Sequence, residues 1–325
     1  MDRREVKEEE EEHEIVIVGG GICGLATALA LHRKGVRSVV LEKSETLRAT
    51  GAAIAIFEFS IAYILLLTIW PLDKYRAREV WLDKGSTKET SFGHGEARCL
   101  KRSDLINTLA DALPPHTIHF GCQIVGVKLD ALTSNPILQL LDGRCIVAKH
   151  ARALQNPDLI IQSTLPLIDG FPPEIQQMIE DSDVESLSLT HVRYRAPWDL
   201  LLGKFRKGTV TVAGDAMHVM GPLLGQGGSA GLEDAIVLAR CLYQKLSEVH
   251  QIQSRSQMMM HKVVEAMDQY VKERRMRVVR LSMQTYLTGL LVGPSSMLVK
   301  LASIVLMVIF FRNQNDHTTY DCGLL

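Results

Sequence analysis

The order of apolar and polar positions predicts a strand, a helix and a second strand in succession over residues 14–42. Residues 15–18 are consecutively apolar, as expected for a parallel strand that is covered on both faces. A Leu- and Ala-rich stretch follows and ends in basic residues, and Gly35 after it is the predicted helix C-cap. Residues 36–41 are a second apolar segment that ends at Glu42. The pattern therefore predicts one βαβ unit.

The rest of the chain is less regular, but it still predicts a series of elements. In chain order they are a strand leading into a helix over 96–113, two short strands over 117–142, a buried strand over 209–213, a helix over 228–244 and a helical chain from 257. Ser103 is the predicted N-cap of the first of these helices. A turn is predicted near 134–136, and the proline-rich stretch 150–187 is predicted to be a connector.

Composition adds limits on class and location. The chain has 325 residues, of which 46% are hydrophobic and 22% charged, as is typical of a globular protein. The net charge of −1 gives no electrostatic footprint for nucleic acid. Six scattered cysteines without a CxxC pair indicate reduced thiols, and we expect a cytoplasmic protein. Residues 1–13 are rich in glutamate and predict a disordered, solvated tail rather than a transit peptide.

The stretch 287–311 is strongly apolar, although Gly289, Gly293, Pro294 and Lys300 interrupt it. Two interpretations are open. One is an interfacial or anchoring helix that contacts a membrane, and the other is a buried or partner-facing helix.

Glycines between the first strand and its helix predict a nucleotide site. In the pattern Gly19-x-Gly21-x-x-Gly24, the first glycine permits a tight turn, the second lets the backbone approach a pyrophosphate and the third lets helix and strand pack closely. The phosphates would lie at the helix N-terminus, where unpaired N–H groups favour negative charge. Glu42 ends the next strand, where it can bind a ribose hydroxyl and disfavour NADP. The alternative is a glycine-rich turn without a ligand.

A second motif follows almost two hundred residues later. A strand ends at Gly214-Asp215, which would place the carboxylate at the ligand-binding edge of an α/β sheet. Pro222 and the run Gly225-Gln226-Gly227 then precede a helix whose N-terminal amides could stabilise negative charge. The alternative for Asp215 is a plain helix N-cap. No Ser-His-Asp arrangement or metal-ligand spacing is evident in the sequence.

Together these motifs resemble the FAD-dependent monooxygenases of the aromatic-ring hydroxylase type, and within them the plant group related to zeaxanthin epoxidase and salicylate hydroxylase. The resemblance covers residues 14–55, 96–149 and 174–325. The matching segments are 19–26, 41–43, 47–51, 98–102, 193–198, 214 onward and 320–325.

The resemblance implies an α/β protein with a Rossmann-like FAD-binding domain, a reduced remnant of an antiparallel substrate sheet and a C-terminal helical region. It also implies an oxidoreductase that uses FAD, with NAD(P)H as a transient hydride donor. One oxygen atom of O2 would enter a small aromatic or isoprenoid-like substrate. The predicted divisions are an acidic tail (1–13), a FAD-binding part (14–149), a connector (150–186), a second FAD-binding part (187–245) and a helical region (246–325).

The same resemblance assigns roles to individual residues, without any catalytic side chain or metal ligand. Asp215 would contact the ribityl chain of FAD, and Arg48 and Arg102 would line the FAD site, with a surface cation as the alternative for each. Arg98 is a weaker candidate, and His218 is expected to be structural. The predicted FAD-binding residues are Gly19, Gly21, Gly24, Glu42, Arg48, Arg102, Gly214, Asp215, Pro222, Gly225, Gln226 and Gly227.

The chain departs from the family pattern in two places. The expected Asp-Gly motif does not follow residue 143, since Asp142-Gly143 itself reads as a hairpin turn, and most of the antiparallel substrate roof is absent. Residues 56–90 also do not match. A divergent or alternatively spliced chain and an imperfect gene model both fit these departures. The alternative function is therefore a truncated, non-catalytic FAD-binding remnant that acts through protein or membrane contacts.

Overall fold

A computed structural model describes most of the nucleotide-binding elements and the C-terminal helices. The described residues are 15–47, 54–57, 76–81, 86–91, 97–129, 136–140, 173, 177, 180–181, 193–248, 255–293, 295–311, 317 and 320–323. The predicted connector over 150–187 and the Asp142-Gly143 turn thus lie almost wholly outside the described residues.

Among the described residues, the elements in the first part of the chain are mostly strands with two helices, and those in the last part are helical. They are β1 (Val16–Val18), α1 (Ile22–Arg33), β2 (Val39–Leu41), β3 (Ile54–Phe57), β4 (Arg76–Trp81), β5 (Ser86–Ser91), β6 (Ala97–Leu100), α2 (Arg102–Asp111), β7 (Ile118–His119), β8 (Ile124–Leu129), β9 (Pro136–Leu140), α3 (Pro197–Leu202), β10 (Arg206–Lys207), β11 (Val210–Thr211), α4 (Asp215–His218), a 3-10 helix (Pro222–Leu224), α5 (Gly227–Ser247), α6 (Arg255–Val292) and α7 (Met297–Phe310).

A parallel sheet in the order β1-β2-β7 carries the N-terminal motif, so the predicted βαβ unit is confirmed. The expectation that its first strand is covered on both faces is wrong, because β1 lies at the edge of the described sheet and Val16 and Val18 are exposed. Its second strand begins at Val39, three residues later than predicted.

Helix α1 ends at Arg33, and its C-cap is Lys34, one residue before the predicted cap. Gly35 follows in the left-handed conformation with φ +73°. The Gly35 N–H donates to the His32 carbonyl at 2.9 Å, which closes the last turn.

Four antiparallel pairs of described strands accompany this sheet: β3 with β6, β4 with β5, β8 with β9 and β10 with β11. The β8–β9 pair confirms the two strands predicted over 117–142. The β4–β5 pair lies almost wholly within residues 56–90, which do not match the family pattern. These short pairs agree with the expected reduced antiparallel sheet.

One local prediction is wrong, and a second is confirmed only in part. Helix α2 begins at Arg102, so Ser103 lies inside its first turn and its hydroxyl donates to the Asp104 carboxylate at 3.1 Å instead of capping the helix. The strand predicted over 209–213 is reduced to the half-buried β11, which pairs antiparallel with β10. The reason is the two-residue turn after Lys207, where Gly208 has φ +58°, because it reverses the chain and supplies a local partner.

The helices predicted over 228–244 and from 257 are confirmed as α5 and the 38-residue α6. Helix α5 packs between α1 and α6. Small residues on facing sides, such as Ala28 of α1 and Ala235 of α5, are fully buried in one core cluster with Leu105 and Leu109 of α2. A second cluster joins Leu31, Val237 and Cys241 to Tyr270 and Val278 of α6. The core therefore holds the two halves of the predicted FAD site together.

Helix α7 packs on α6. Its outward side is exposed, since Met297 and Leu298 are 84% and 79% accessible to solvent. Residues 297–310 are therefore not a buried helix, whereas Leu287 at the start of the stretch is buried in α6, and the membrane-contacting and partner-facing interpretations both stay open. Within the described ranges, no helix combines the length and the apolar character that crossing a bilayer requires.

Candidate FAD-binding site

The N-terminal glycine loop connects β1 to α1 and leaves space in front of the helix. Gly19 has φ +107°, which L side chains rarely adopt, and its N–H donates to the Leu41 carbonyl at 2.9 Å. A Cβ on Gly24 would lie 2.1 Å from the Gly19 carbonyl oxygen, so α1 packs directly against the loop. A Cβ on Gly19 or Gly21 would meet nothing within 4 Å. The loop thus has the open face that a pyrophosphate needs.

Glu42 lies beside this loop at the end of β2. Its side chain is buried, with Oε2 accepting from the Gly20 N–H at 2.6 Å and Oε1 from the Ser44 N–H at 2.9 Å. The carboxylate therefore joins the glycine loop, at Gly20, to the turn that follows β2, at Ser44. Its contact with a ribose hydroxyl stays a prediction.

The second motif meets the first at Gly214. This residue has φ +59°, its N–H donates to Asp234 Oδ2 at 2.7 Å, and a Cβ on it would lie 3.0 Å from the Cys23 Cβ. Asp215 follows as the first residue of α4 and is exposed. Because Gly214 holds the N-cap position of α4 and no side chain caps it, Asp215 is not the plain N-cap that the sequence left open. Its carboxylate is accessible for another partner.

The loop before α5 offers a second open face. Pro222 is exposed, Gly225 is left-handed with φ +63°, and a Cβ on Gly225 or Gly227 would meet nothing within 4 Å. Gln226 is buried between them, and its Nε2 has no hydrogen-bond partner among the described residues. A buried donor without a partner, next to a helix N-terminus and open space, fits a polar, anionic cofactor such as FAD.

The structure does not show the three arginines of the sequence analysis, Arg48, Arg98 and Arg102, together at the FAD site. Arg102 is half-buried at the first position of α2. Arg48 lies outside the described residues, and Arg98 lies in β6, where the structure describes only the backbone. Their roles at the FAD site stay predictions.

Residues 193–198 are anchored beside α4. The Arg195 N–H donates to the Val219 carbonyl at 2.7 Å, and its guanidinium donates to the Ala216 carbonyl at 3.2 Å. A cavity of about 540 Å³ opens there and is lined by Arg193, Tyr194, Arg195, Asp199 and Val219. This matched segment of the sequence therefore borders the Gly214 loop rather than a separate part of the fold.

A buried charge network supports the Gly214 loop from behind, and the sequence analysis missed it. Asp234 of α5 is fully buried and accepts from three donors: the Gly214 N–H, His218 Nε2 at 2.7 Å and Arg274 Nε at 2.6 Å. Burial alone would raise the pKa of Asp234, but the charges and hydrogen bonds of His218 and Arg274 hold it well below its usual range. His218 is therefore a donor to a structural carboxylate, in agreement with the expected structural role.

The same network extends to α6 and the C-terminus. Glu233 pairs with Arg274 and Arg277, each at 2.7 Å. The Tyr320 ring lies 4.5 Å from the Arg274 guanidinium. The basic stretch around these arginines is thus not a solvated patch, because Arg275 also points inward and donates to three carbonyls near the end of α3. The sequence signal for the buried cation Arg274 was the acidic pair Glu233-Asp234, which stands among small and apolar residues of α5.

The thiol pKa values of Cys23, Cys241 and Cys322 are raised, so these three thiols are poor nucleophiles near neutral pH. Burial, followed by the charge of Asp234, raises the pKa of the Cys23 thiol well above its usual range. Burial and Glu273 raise the pKa of Cys241 to about 11, and burial and Glu233 raise the pKa of Cys322 to about 12. Over the ranges that the structure covers, no group of His, Cys, Asp and Glu could hold a metal ion.

Comparison with known proteins agrees with this geometry. The family of FAD dependent oxidoreductases matches residues 14–95, and the FAD binding domain family matches residues 168–285. Monooxygenase 1 of Arabidopsis thaliana is 40% identical over 392 residues, which cover 95% of this chain and 98% of that protein. Since this alignment is longer than the chain, part of that relative has no counterpart here. Monooxygenase 2 of the same plant is 27% identical, covering 87% of this chain and 90% of its own.

The solved structures show the same fold at low identity. A crystal structure of a Klebsiella pneumoniae HpxO variant complexed with FAD matches with a TM-score of 0.69 and 16% identity, and it covers 94% of this chain and 98% of that one. Both matched families are defined by FAD, so the cofactor of this chain is FAD. The chain belongs to the family of FAD-dependent monooxygenases.

Proposed function

We propose that this chain inserts one oxygen atom of O2 into a small aromatic or isoprenoid-like substrate, with NAD(P)H as the transient hydride donor. The observation that carries the proposal is the meeting of the two glycine motifs, where Gly214 packs on Cys23 and open space lies over Gly21 and Gly227. We also propose that the protein is cytoplasmic. Its chain would consist of the acidic tail, the two FAD-binding parts, the connector and the helical region that the sequence predicts.

The residues around that space have distinct roles in the proposal. The N–H groups at the start of α1 would hold the pyrophosphate, and Glu42 would accept from a ribose hydroxyl. Asp215 would accept from the ribityl chain, and Gln226 and the start of α5 would face the ring system. FAD, when bound, supplies the hydride acceptance and O2 activation for which the protein has no side chain of its own. The protein orients the reactants and excludes water.

A second candidate is a non-catalytic FAD-binding chain, and one observation favours it. The alignment with the 40% identical relative is longer than this chain, so a segment of that protein is missing here. If the missing segment covers the reacting ring, water reaches it, and a hydroxylated product would not form.

The first experiment is a visible absorption spectrum of the purified chain with and without added FAD. A bound-flavin spectrum supports the two-part site, whereas a folded chain that stays colourless in excess FAD contradicts both candidates. NAD(P)H oxidation, hydrogen peroxide release and incorporation of labelled oxygen from O2 are then measured with a panel of aromatic and isoprenoid compounds. Labelled product supports the monooxygenase. Flavin binding without NAD(P)H oxidation supports the non-catalytic candidate, whereas NAD(P)H oxidation that yields peroxide alone shows an oxidase and contradicts both candidates.

A further inference from the structure

Helix α7 presents an apolar face to solvent. We define its outer face as Met297, Leu298, Leu301, Ile304, Val305 and Val308, which are spaced three or four residues apart along one side of the helix. Their side chains are between 48% and 84% accessible. Ser303, on the opposite side, is buried towards α6.

This arrangement is the reverse of a helix that faces water. Surface helices of water-soluble proteins place their apolar stripe against the core and their polar residues outward. Here the outer face of α7 has no polar side chain, while the inward position holds a serine. Contiguous exposed apolar surface of this kind marks a contact with an apolar partner.

The charges near α7 favour an anionic partner. No Asp or Glu occurs between Glu273 and Asp316. Lys300 lies within the helix and Arg312 follows shortly after its end. A lysine beside an apolar face can extend its ammonium group to a headgroup while its stem stays in apolar surroundings.

The composition and length of the helix favour a lipid surface over a protein. Protein interfaces are enriched in aromatic residues, Met and Arg and have a polar rim, whereas the outer face has no aromatic residue or arginine and a single methionine among aliphatic residues. With 14 residues, α7 is about 21 Å long. The hydrocarbon core of a bilayer is about 30 Å thick, so a helix of this length lies in the interface rather than spanning it.

We propose that the outer face of α7 binds the surface of a lipid bilayer that contains anionic headgroups, with the helix axis parallel to the membrane plane. This inference stands on α7 alone and does not depend on the proposed monooxygenase activity. Binding there would hold the FAD domain at the membrane, where apolar small molecules are concentrated.

Vesicle flotation of the full chain tests the proposal. We expect flotation with phosphatidylcholine vesicles that contain phosphatidylserine, less flotation with phosphatidylcholine alone, and a decrease with added salt. The double variant Leu301→Glu/Val308→Glu should lose at least tenfold in partitioning. The matched control Leu202→Glu/Met276→Glu changes two residues that are 80% and 62% exposed outside α7, and it should bind as the wild type does. Lys300→Glu should weaken binding to the anionic vesicles by roughly fivefold or more.

A second measurement does not depend on a double variant that folds. In Val305→Trp the new indole replaces an exposed side chain, and vesicles with brominated acyl chains should quench its fluorescence beyond the change seen in the wild type. A folded wild type that does not float with either vesicle overturns the proposal, and so does a control variant that loses binding equally. Vesicle-independent dimers that Leu301→Glu/Val308→Glu disrupts, without flotation of the wild type, would instead assign the outer face to a second copy of the chain.

Discussion

Alanine at Gly21 and at Gly24 should separate the binding function of the glycine loop from its structural function. A Cβ on Gly24 would lie 2.1 Å from the Gly19 carbonyl oxygen, whereas a Cβ on Gly21 would meet nothing within 4 Å. Carbon and oxygen atoms in contact are about 3.3 Å apart, so Gly24→Ala forces α1 and the loop apart by about 1 Å. Overpacking of this kind costs about 1–3 kcal/mol of unfolding free energy.

Gly21→Ala should instead leave the fold almost unchanged. Gly21 is the N-cap of α1 with φ −81° and ψ 178°, which alanine adopts readily. The loss of glycine at this position costs below about 1 kcal/mol. The added methyl group nevertheless enters the space predicted for the pyrophosphate. We therefore expect the Kd for FAD to rise at least about tenfold, which corresponds to about 1.4 kcal/mol.

The assay combines FAD titration by flavin fluorescence with urea unfolding of the FAD-free chain. Gly35→Ala is the matched control, because it strains a left-handed residue at the far end of α1, where a Cβ also meets nothing within 4 Å. It should lower stability without changing the Kd. If Gly21→Ala binds FAD as tightly as the wild type, the predicted placement of the pyrophosphate at this loop is wrong.

Further predictions concern the buried network and the C-terminal contacts. Arg274→Met leaves Asp234 buried without its cation and should cost about 3–5 kcal/mol in urea unfolding, and a loss below about 1 kcal/mol would contradict the network. Because the folded pKa of Asp234 is depressed, its stabilisation should be complete above about pH 4 and be lost as the pH falls through the folded pKa. Asp234→Asn should flatten the pH dependence of unfolding free energy below about pH 4, and a curve parallel to the wild type there would refute this. Tyr320→Leu removes a ring 4.5 Å from Arg274 and should lower stability by about 0.5–2 kcal/mol in thermal unfolding, while an unchanged midpoint would exclude the contact. Arg275→Lys keeps one charge but cannot reach all three carbonyls, so a loss of about 1 kcal/mol is expected in the same measurement and equal stability would show that the charge alone suffices.

The sequence predicted the elements that depend on local pattern. Four consecutive apolar residues and a spaced set of glycines specify β1, its turn and α1, because glycine alone tolerates the conformation at Gly19 and the approach at Gly24. The long helices were predictable for the same reason. The length and burial of the strand over 209–213 were not predictable, because the glycine turn at Gly208 pairs it with β10 instead of the parallel sheet.

The buried network could not be derived from spacing alone. Asp234 and Arg274 are forty residues apart in sequence, and either one by itself resembles an exposed residue of a long helix. Only the packing of α5 against α6 shows that both are buried. The structural role expected for His218 came from the resemblance and agrees with its hydrogen bond to Asp234, whereas nothing in the sequence alone assigned the inward contacts of Arg275.

The contact between Asp234 and Gly214 has a consequence for the order in which the protein matures. During synthesis the glycine loop at Gly19 emerges early, but its partner at Gly214 emerges far later, and the cation that neutralises Asp234 comes later still. Tyr320, which lies against that cation, is made after both. A nascent chain therefore has no complete flavin cradle until the residues through Arg274 have emerged, so we expect FAD to bind only after that stage.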